Sequence, residues 1–315
     1  MATHVAAIFG GSGFIGRYIV ERLAQRGWIM RIAVRRPDEA LFLKPLGDIA
    51  QIVPIGANIR HERSVANAVQ GVDTVINLVG ILHQRGAQRF DAVHADGVRR
   101  LARAATGAGV RRFLHLSALG ADPQSPSAYA RSKAAGEAML REHFPSAIVL
   151  RPSVVFGPED DFFNRFAAMA RISPALPLIG GGKMRFQPVY VGDVADAAAA
   201  ALENPALAGK VFELGGPKVY TFKELMEMML AVIGSRRLLL PLPFAIASLQ
   251  AAFLGLLPNP PLTLDQVKLL KSDNVLSGKL PGLEALGIRP TGPEAILPAY
   301  LDRYRYGGHM RKAEA

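Results

Sequence analysis

The chain has 315 residues, of which 50% are hydrophobic and 20% are charged. This composition is typical of a folded globular protein and excludes an intrinsically disordered one. The absence of cysteine excludes disulfides, thiolate metal sites and a cysteine nucleophile. The net charge of +11 favours anionic partners such as phosphates or acidic lipid. No basic cluster is interleaved with aromatic residues and no histidines have metal-ligand spacing, so we expect neither nucleic acid nor a metal as partner.

The first predicted strand, from Val5 to Phe9, leads into a turn in which Gly10, Gly13 and Gly16 recur at intervals of three. An amphipathic helix follows. In a strand–turn–helix, the first glycine permits the tight turn, the second lets a pyrophosphate approach the backbone, and the third lets helix and strand pack closely. The N–H groups of the helix start face the phosphates. We therefore expect the whole turn to bind a dinucleotide through Gly10, Gly11, Ser12, Gly13, Phe14, Ile15 and Gly16.

Short apolar stretches then alternate with amphipathic ones. The sequence predicts strands at 28–34, 50–55, 72–79, 113–117 and 147–150, and helices at 64–69, 91–108 and 129–142. This alternation predicts an α/β fold with a parallel sheet covered on both faces. Because the glycine turn lies at the first crossover, we expect a doubly wound Rossmann-type sheet.

Proline-rich loops after Arg151 indicate a second domain. We assign residues 1–155 to the dinucleotide-binding domain, with its sheet completed by 185–215. In that segment Val189 to Val191, a helix from Asp193 to Glu203 and a strand from Val211 to Leu214 look like a return to the sheet. Residues 156–184 and 216–315 are assigned to a smaller C-terminal domain on the substrate side, which also serves for partner docking.

Two arginines, Arg35 and Arg36, follow the second predicted strand. An NAD-selective site usually has a carboxylate here that accepts from the ribose 2′-OH. Arginines instead offer bidentate donors to a 2′-phosphate, and Arg17 in the first helix can assist. The pattern favours NADP(H), with NAD(H) as the alternative. The other reading is that these arginines are solvated surface charges.

Tyr129 and Lys133 lie four residues apart on a predicted helix and therefore share a face. A nearby ammonium can lower the pKa of a phenol and bind the nicotinamide ribose, which gives a tyrosinate general base. The pair follows a strand that ends at Ser117, in the fifth strand–helix unit. This placement makes it a candidate catalytic pair.

The chain resembles the extended and atypical short-chain dehydrogenases/reductases over essentially its whole length. The resemblance lies in the glycine turn, residues 77–80 after the fourth strand, Ser117, the Tyr129/Lys133 pair and residues 151–157. The resemblance implies a Rossmann sheet, a nicotinamide cofactor and a variable C-terminal domain. It also implies cofactor contacts from Asn58, Val79, Gly80, Ser117, Tyr129, Lys133, Pro152 and Val154.

The strings 115–121, 142–148, 156–160, 187–194 and 240–243 resemble one atypical branch of that family more closely. This branch holds NADPH-binding accessory subunits of respiratory complex I and their bacterial relatives. The resemblance implies a structural role, complex I subunits as partners, and a peripheral position on the cytoplasmic face of a bacterial inner membrane.

The sequence departs from the active members of the family. Ala118 and Leu119 stand where a serine usually polarises the substrate carbonyl. The helical asparagine of active members is replaced in this chain around His94. Asn58 stands after the third strand, where active members often have an acidic residue that contacts the adenine. The catalytic set of Tyr129, Lys133 and Ser117 is therefore incomplete, and such a loss can cost orders of magnitude in rate. His94 is either a substitute proton carrier or a packed histidine.

The apolar stretch 238–257 is broken by Pro241 and Pro243 and is too short to span a membrane. Residues 244–257 either enter the core or dock on a protein or lipid surface. Contact through 236–271 would be aided by Arg236, Arg237, Lys268 and Lys271. Since the first strand begins almost at Met1, we expect no signal or transit peptide and a cytoplasmic location.

Three functions follow from these features. The first is a structural, NADP(H)-binding accessory subunit of complex I with little or no turnover. The second is an active NADPH-dependent oxidoreductase or epimerase/dehydratase acting on an isoprenoid, sugar or quinone-like substrate. The third is a regulator whose affinity for a protein partner depends on the bound nucleotide.

Overall fold

The computed structural model describes residues 4–255, 257 and 260–305. The strands are β1 (Val5–Phe9), β2 (Ile29–Val34), β3 (Ile52–Gly56), β4 (Thr74–Asn77), β5 (Arg112–Leu116), β6 (Ile148–Pro152), β7 (Val155–Phe156), β8 (Ala175–Ile179), β9 (Arg185–Phe186), β10 (Val189–Tyr190), β11 (Val211–Leu214), β12 (Tyr220–Thr221) and β13 (Leu238–Leu242). The α-helices are α1 (Phe14–Gln25), α2 (Glu62–Val69), α3 (Asp96–Gly107), α4 (Ala128–His143), α5 (Phe163–Ile172), α6 (Val191–Glu203), α7 (Phe222–Val232), α8 (Phe244–Leu254), α9 (Leu264–Leu269) and α10 (Pro293–Leu301). A π-helical turn, Asp91–Ala95, precedes α3.

The chain divides into two compact units. The first comprises the residues up to Pro152 together with 194–213 and 278–288. The second comprises 153–193, 214–277 and the residues from Arg289 onward. These bounds differ from the division expected from sequence, because 185–193 belongs to the second unit and 278–288 to the first.

The sheet of the first unit has the strand order β11-β6-β5-β4-β1-β2-β3. Strand β1 pairs in parallel with β2 on one side and with β4 on the other, and β4, β5 and β6 continue in parallel. This order confirms the predicted doubly wound Rossmann-type fold. The chain reverses its winding direction beside β1, so a crevice forms at the carboxyl ends of β1 and β4, where ligands bind in such sheets.

The core of the first unit forms where one face of the sheet packs on α2, α3 and α4. Phe9 and Phe113 are fully buried there, as are Val65 of α2, Leu101 of α3 and Leu140 of α4. Burial of each large apolar side chain contributes roughly 1.5–3 kcal/mol. This packing holds the strand ends and helix starts that carry the candidate site.

In the second unit the strands form two-stranded pairs: β7 with β10, β9 with β12, and β8 with β13. The expected return of 189–191 to the main sheet is wrong, because Val189 and Tyr190 pair with Val155 and Phe156. The strand has only two residues since α6 begins at Val191. The strand expected at 211–214 is β11, which lies at the edge of the main sheet. No helix among the described residues is long and apolar enough to cross a bilayer.

Candidate functional site

The glycine turn connects β1 to α1, as the sequence predicts. Gly10 has a φ of +84°, a conformation that glycine adopts without strain. A Cβ on Gly10 would lie 3.1 Å from the carbonyl carbon of Leu78, in the loop after β4. A Cβ on Gly16 would lie 2.4 Å from the Gly10 carbonyl oxygen. The first glycine therefore makes the turn and the third lets the helix approach it.

The start of α1 fits a phosphate group. Gly13 is exposed, caps the helix with an extended backbone (φ −72°, ψ 176°) and adds no side chain over the helix start. The first turn of α1 contains no acidic residue that would repel an anion. The side chains of Ser12, Phe14 and Ile15 are half-buried, and Gly11 is buried against Ile32. The turn therefore has room and backbone N–H groups for a phosphate, as the sequence predicts.

The predicted phosphate-binding arginines lie at the same edge of the sheet, after β2 and at the start of α1. Arg36 pairs with Glu39, with an Nη2–Oε1 distance of 2.6 Å. Arg35 is exposed and has no ion-pair partner in the described part of the chain. The guanidinium of Arg17 lies 5.1 Å from the centroid of the Phe42 ring. Of the two arginines after β2, Arg35 is the one without an ion pair among the described residues.

Asn58 follows β3 and shapes the turn before α2. Its Oδ1 accepts from the backbone N–H of Arg60 at 3.0 Å, and its own backbone N–H donates to Ser64 Oγ at 3.1 Å. The side-chain oxygen is therefore used within the turn. The amide nitrogen is the part of Asn58 that can donate to an adenine acceptor.

The loop after β4 meets α4 at Gly80. The Val79 N–H donates to Asn77 Oδ1 at 3.2 Å, which fixes the start of the loop. A Cβ on Gly80 would lie 3.4 Å from Lys133 Nζ and 3.8 Å from His94 Nε2. The structure thus brings Val79 and Gly80 together with Lys133, although more than 50 residues separate them in sequence.

Lys133 is buried, and its ammonium donates to the carbonyl oxygen of Leu116 at 3.2 Å. Burial lowers the pKa of Lys133 to about 8, against the opposing effect of Glu137. Burial raises the pKa of Tyr129 to about 12. This is the reverse of the expected shift: Lys133 Nζ lies 5.9 Å from the centroid of the Tyr129 ring and does not overcome burial. The phenol stays protonated near neutral pH and can donate a proton rather than accept one.

His94 is a packed, neutral histidine. Its Nε2 accepts from the backbone N–H of Ile81 at 3.0 Å, so Nδ1 carries the proton and donates to Ser132 Oγ at 2.9 Å. Ser132 Oγ donates in turn to the Tyr129 carbonyl oxygen at 2.7 Å. Burial lowers the pKa of His94 to about 2, with Lys133 and His115 adding to the effect. Of the two interpretations from sequence, the proton carrier is therefore disfavoured.

The ring of Tyr129 is held by two aromatic neighbours. Phe90 stacks on His94 with centroids 5.5 Å apart, and Tyr129 meets both rings edge to face, at 5.8 Å and 5.4 Å. His94 lies in the π-helical turn, a feature frequent at functional sites. The turn and its hydrogen bonds connect the loop after β4 to the start of α4. His94 thus positions Tyr129.

Gly136 allows this π-helical turn to reach α4, since a Cβ on Gly136 would lie 2.0 Å from the His94 carbonyl oxygen. We expect Gly136→Ala to lower the free energy of unfolding by about 3 kcal/mol, because two backbones would have to separate. Urea unfolding measures this. The matched control is Gly107→Ala in α3, where a Cβ meets nothing within 4 Å and stability should be unchanged or slightly higher. Equal stability of the two variants would contradict the packing role of Gly136.

Ser117 belongs to a buried ionic network that the sequence did not reveal. Its Oγ donates to Glu137 Oε1 at 2.5 Å, and Arg151 donates to both oxygens of Glu137, at 2.9 Å and 2.7 Å. The hydroxyl of Ser117 is therefore bound to Glu137. Glu137 lies one turn after Lys133 on α4, and this i, i+4 spacing is the only sequence signal for it.

A second unpredicted contact joins β4 to β5. Asn77 Oδ1 accepts from Val79, so Asn77 Nδ2 donates to His115 Nδ1 at 3.1 Å. His115 then carries its proton on Nε2, which is buried without a partner in the described residues. Burial lowers the pKa of His115 to about 3.

The last two predicted cofactor residues lie in different units. Pro152 ends β6, and its carbonyl oxygen accepts from the Leu119 N–H at 2.9 Å. Val154 is in the second unit, where its N–H donates to Asn274 Oδ1 at 3.1 Å. Pro152 thus lies in the same unit as the glycine turn. Among the described residues, no group of three or more His, Asp or Glu side chains forms a metal site.

A doubly wound sheet, a glycine cradle at its first crossover and a Tyr–Lys pair on α4 define a dinucleotide-binding protein of the short-chain dehydrogenase/reductase class. The family model described as NAD dependent epimerase/dehydratase matches residues 6–215. The chain belongs to this family.

Two relatives show which members of the family the chain is similar to. The chain is 38% identical over 304 residues to NADH dehydrogenase (ubiquinone) 1 alpha subcomplex subunit 9 of Rattus norvegicus, which covers 96% of this chain and 80% of that protein. It is 34% identical over 244 residues to a ceramide reductase of Caulobacter vibrioides, covering 77% of this chain and 74% of the relative. The resemblance to the complex I branch is confirmed.

The fold is shared with solved structures of the family. A dTDP-glucose 4,6-dehydratase from Streptomyces venezuelae, determined with NAD and TYD bound, superposes with a TM-score of 0.74 at 21% identity. The alignment covers 95% of this chain and 96% of that one. This likeness establishes the fold alone.

Proposed function

We propose that the protein is an NADP(H)-binding accessory subunit of respiratory complex I with little or no turnover. The observation that carries the proposal is that the polar groups around Tyr129 are already hydrogen-bonded within the protein. Ser117 donates to Glu137, His94 is neutral and bound on both nitrogens, and Ala118 and Leu119 offer no hydroxyl. Tyr129 then has no second hydroxyl beside it to polarise a carbonyl, so transition-state stabilisation is weak. The 38% identity to a complex I subunit supports the part of the proposal that places this protein in complex I.

In this proposal the pyrophosphate and the nicotinamide ribose of the nucleotide are each bound by groups that can donate hydrogen bonds to them. The glycine turn from Gly10 to Gly16 binds the pyrophosphate through backbone N–H groups. Lys133 donates to the hydroxyls of the nicotinamide ribose beside Gly80. When bound, the nicotinamide supplies hydride chemistry, but in this proposal the Tyr129 phenol keeps its proton and the nucleotide has a structural role.

NADP(H) selectivity is assigned to Arg35, with Arg36 in support. We expect NADPH to bind more tightly than NADH, and Arg35→Asp to reduce this preference at least about tenfold, because a carboxylate repels the 2′-phosphate. Calorimetric titration with both nucleotides measures the ratio. Arg63→Asp, at an exposed position of α2, is the control that should leave it unchanged. Equal affinities of the original protein for NADPH and NADH would contradict the assignment.

The proposed location is the cytoplasmic face of a bacterial inner membrane, where the protein binds peripherally. Its net charge of +11 suits an anionic surface. Fractionation of cells tests this directly. We expect the protein in the membrane fraction, co-migrating with NADH dehydrogenase activity on native gels, and recovery only in the supernatant at low salt would contradict it.

A second candidate function is favoured by the Tyr129–Lys133 pair: an active NADPH-dependent reductase. A protonated phenol is suited to donate a proton to a carbonyl oxygen that is being reduced. The relative at 34% identity is named as a ceramide reductase, which gives a long-chain carbonyl compound as the first substrate class to examine.

The two candidates differ in the effect of Tyr129→Phe. If the protein is a reductase, this variant should lose turnover at least about a hundredfold, because the proton donor is removed, while NADPH affinity stays within about threefold. Steady-state assays with ceramide-like ketones and NADPH measure this. Lack of turnover in the unaltered protein, or equal turnover of both forms, counts against the reductase and supports the structural subunit.

A further inference from the structure

The second unit exposes an unusual apolar surface on α8. We define the α8 surface as the outward side chains Ile246, Leu249, Phe253 and Leu257, which are 48%, 61%, 69% and 50% exposed. Within α8 these side chains recur at i, i+3 and i+7 and therefore form one stripe. Contiguous exposed apolar residues of this size mark an interaction site.

The inner face of α8 already fixes the helix on its unit. Ala247 and Ala251 are buried and pack with Val267 of α9. Phe244 packs on Gly180, where a Cβ would lie 2.4 Å from its ring. The large side chains of the α8 surface are therefore not needed to hold the helix in place, and a partner must account for them.

The sequence around the α8 surface is predominantly basic, and the next acidic residue along the chain is Asp265 of α9. From 228 to 264 the chain contains no Asp or Glu, and α8 has no charged residue. Lys268 of α9 and Lys271 just after it are exposed, and Lys271 Nζ lies 5.7 Å from the centroid of the Phe244 ring. Arg236 is exposed at the other end of β13. A partner must accept apolar side chains and offer negative charge next to them.

We propose that the α8 surface docks on a lipid bilayer that contains anionic headgroups. Such a bilayer presents an apolar interior next to phosphates, which matches the stripe and the flanking cations. With 11 residues, α8 is too short to span and lies in the plane of the interface. The docking rests on this surface alone and is independent of the nucleotide.

The test uses the full protein and sedimentation with vesicles of phosphatidylcholine, with and without phosphatidylglycerol. We expect binding to the anionic vesicles, loss of binding at high salt, and no dependence on NADPH. Leu249→Asp/Phe253→Asp should lower the partition coefficient at least about tenfold. Ile49→Asp, at a fully exposed apolar position of the first unit, is the matched control and should leave binding unchanged.

The charge contribution is tested separately. Arg236→Glu/Lys268→Glu should weaken binding to anionic vesicles, whereas Arg63→Glu/Arg103→Glu, which makes the same charge change on α2 and α3, should have a smaller effect. Equal binding to both kinds of vesicle would overturn the proposal, as would binding that survives the Leu249/Phe253 substitution. A dimer in sedimentation velocity that this substitution dissociates would assign the surface to self-association instead. None of these outcomes alters the nucleotide-binding predictions.

Discussion

Replacement of Gly16 by alanine should lower the free energy of unfolding by about 3 kcal/mol and abolish nucleotide binding. The added Cβ would lie 2.4 Å from the Gly10 carbonyl oxygen and 2.7 Å from Gly11 Cα. Both neighbours are backbone atoms, so no side-chain rotation relieves the overlap and α1 must move away from the turn. Chemical denaturation and NADPH titration measure the two effects.

Gly13→Ala is the matched control within the same turn. Its backbone is extended and its Cβ would be no closer than 3.3 Å to the Gly10 carbonyl oxygen. We expect stability to change by less than about 1 kcal/mol. NADPH affinity should nevertheless fall at least about tenfold, because the methyl group covers the helix start. Unchanged affinity in Gly13→Ala would show that the phosphates do not bind there.

Mild acid should destabilise the protein strongly. Burial lowers the pKa of His94 to about 2 and that of His115 to about 3, from 6.5. Below pH 6.5 these two histidines therefore bind protons in the unfolded chain but not in the folded protein. The free energy of unfolding falls as the pH falls. Each histidine contributes up to about 1.4 kcal/mol per pH unit, or roughly 5 kcal/mol together between about pH 6 and pH 4. Above pH 6.5 both are neutral in both states and have no effect.

Denaturation at a series of pH values measures this slope. His115→Asn retains an acceptor for Asn77 Nδ2 but cannot titrate, so the slope should fall by about half. His61→Asn, at an exposed position before α2, is the control that should leave the slope unchanged. A flat stability profile between pH 6 and pH 4 in the unaltered protein would contradict the buried neutral histidines.

The sequence predicts the parts of the fold that depend on local pattern. The run Val5 to Phe9 and the glycine spacing predict β1, the turn and α1, and the structure has β1 at those residues. The helix expected at 129–142 is α4, Ala128–His143. These succeed because strand alternation, helix periodicity and glycine at positive φ are properties of neighbouring residues.

The site contacts were less predictable because they join distant segments. Ser117, Glu137 and Arg151 meet only when β5, α4 and β6 pack together. The reversed pKa shift of Tyr129 arises from burial, which no spacing of residues reveals. The histidine at position 94 was ambiguous until the Ile81 and Ser132 contacts fixed its tautomer.

Purification of complex I from membranes of the source organism tests the central claim most directly. Mass spectrometry of the intact assembly should find this chain in a constant ratio to the other subunits, together with NADP(H) in equal amount. Reproducible absence of the chain from active complex I would contradict the proposed function.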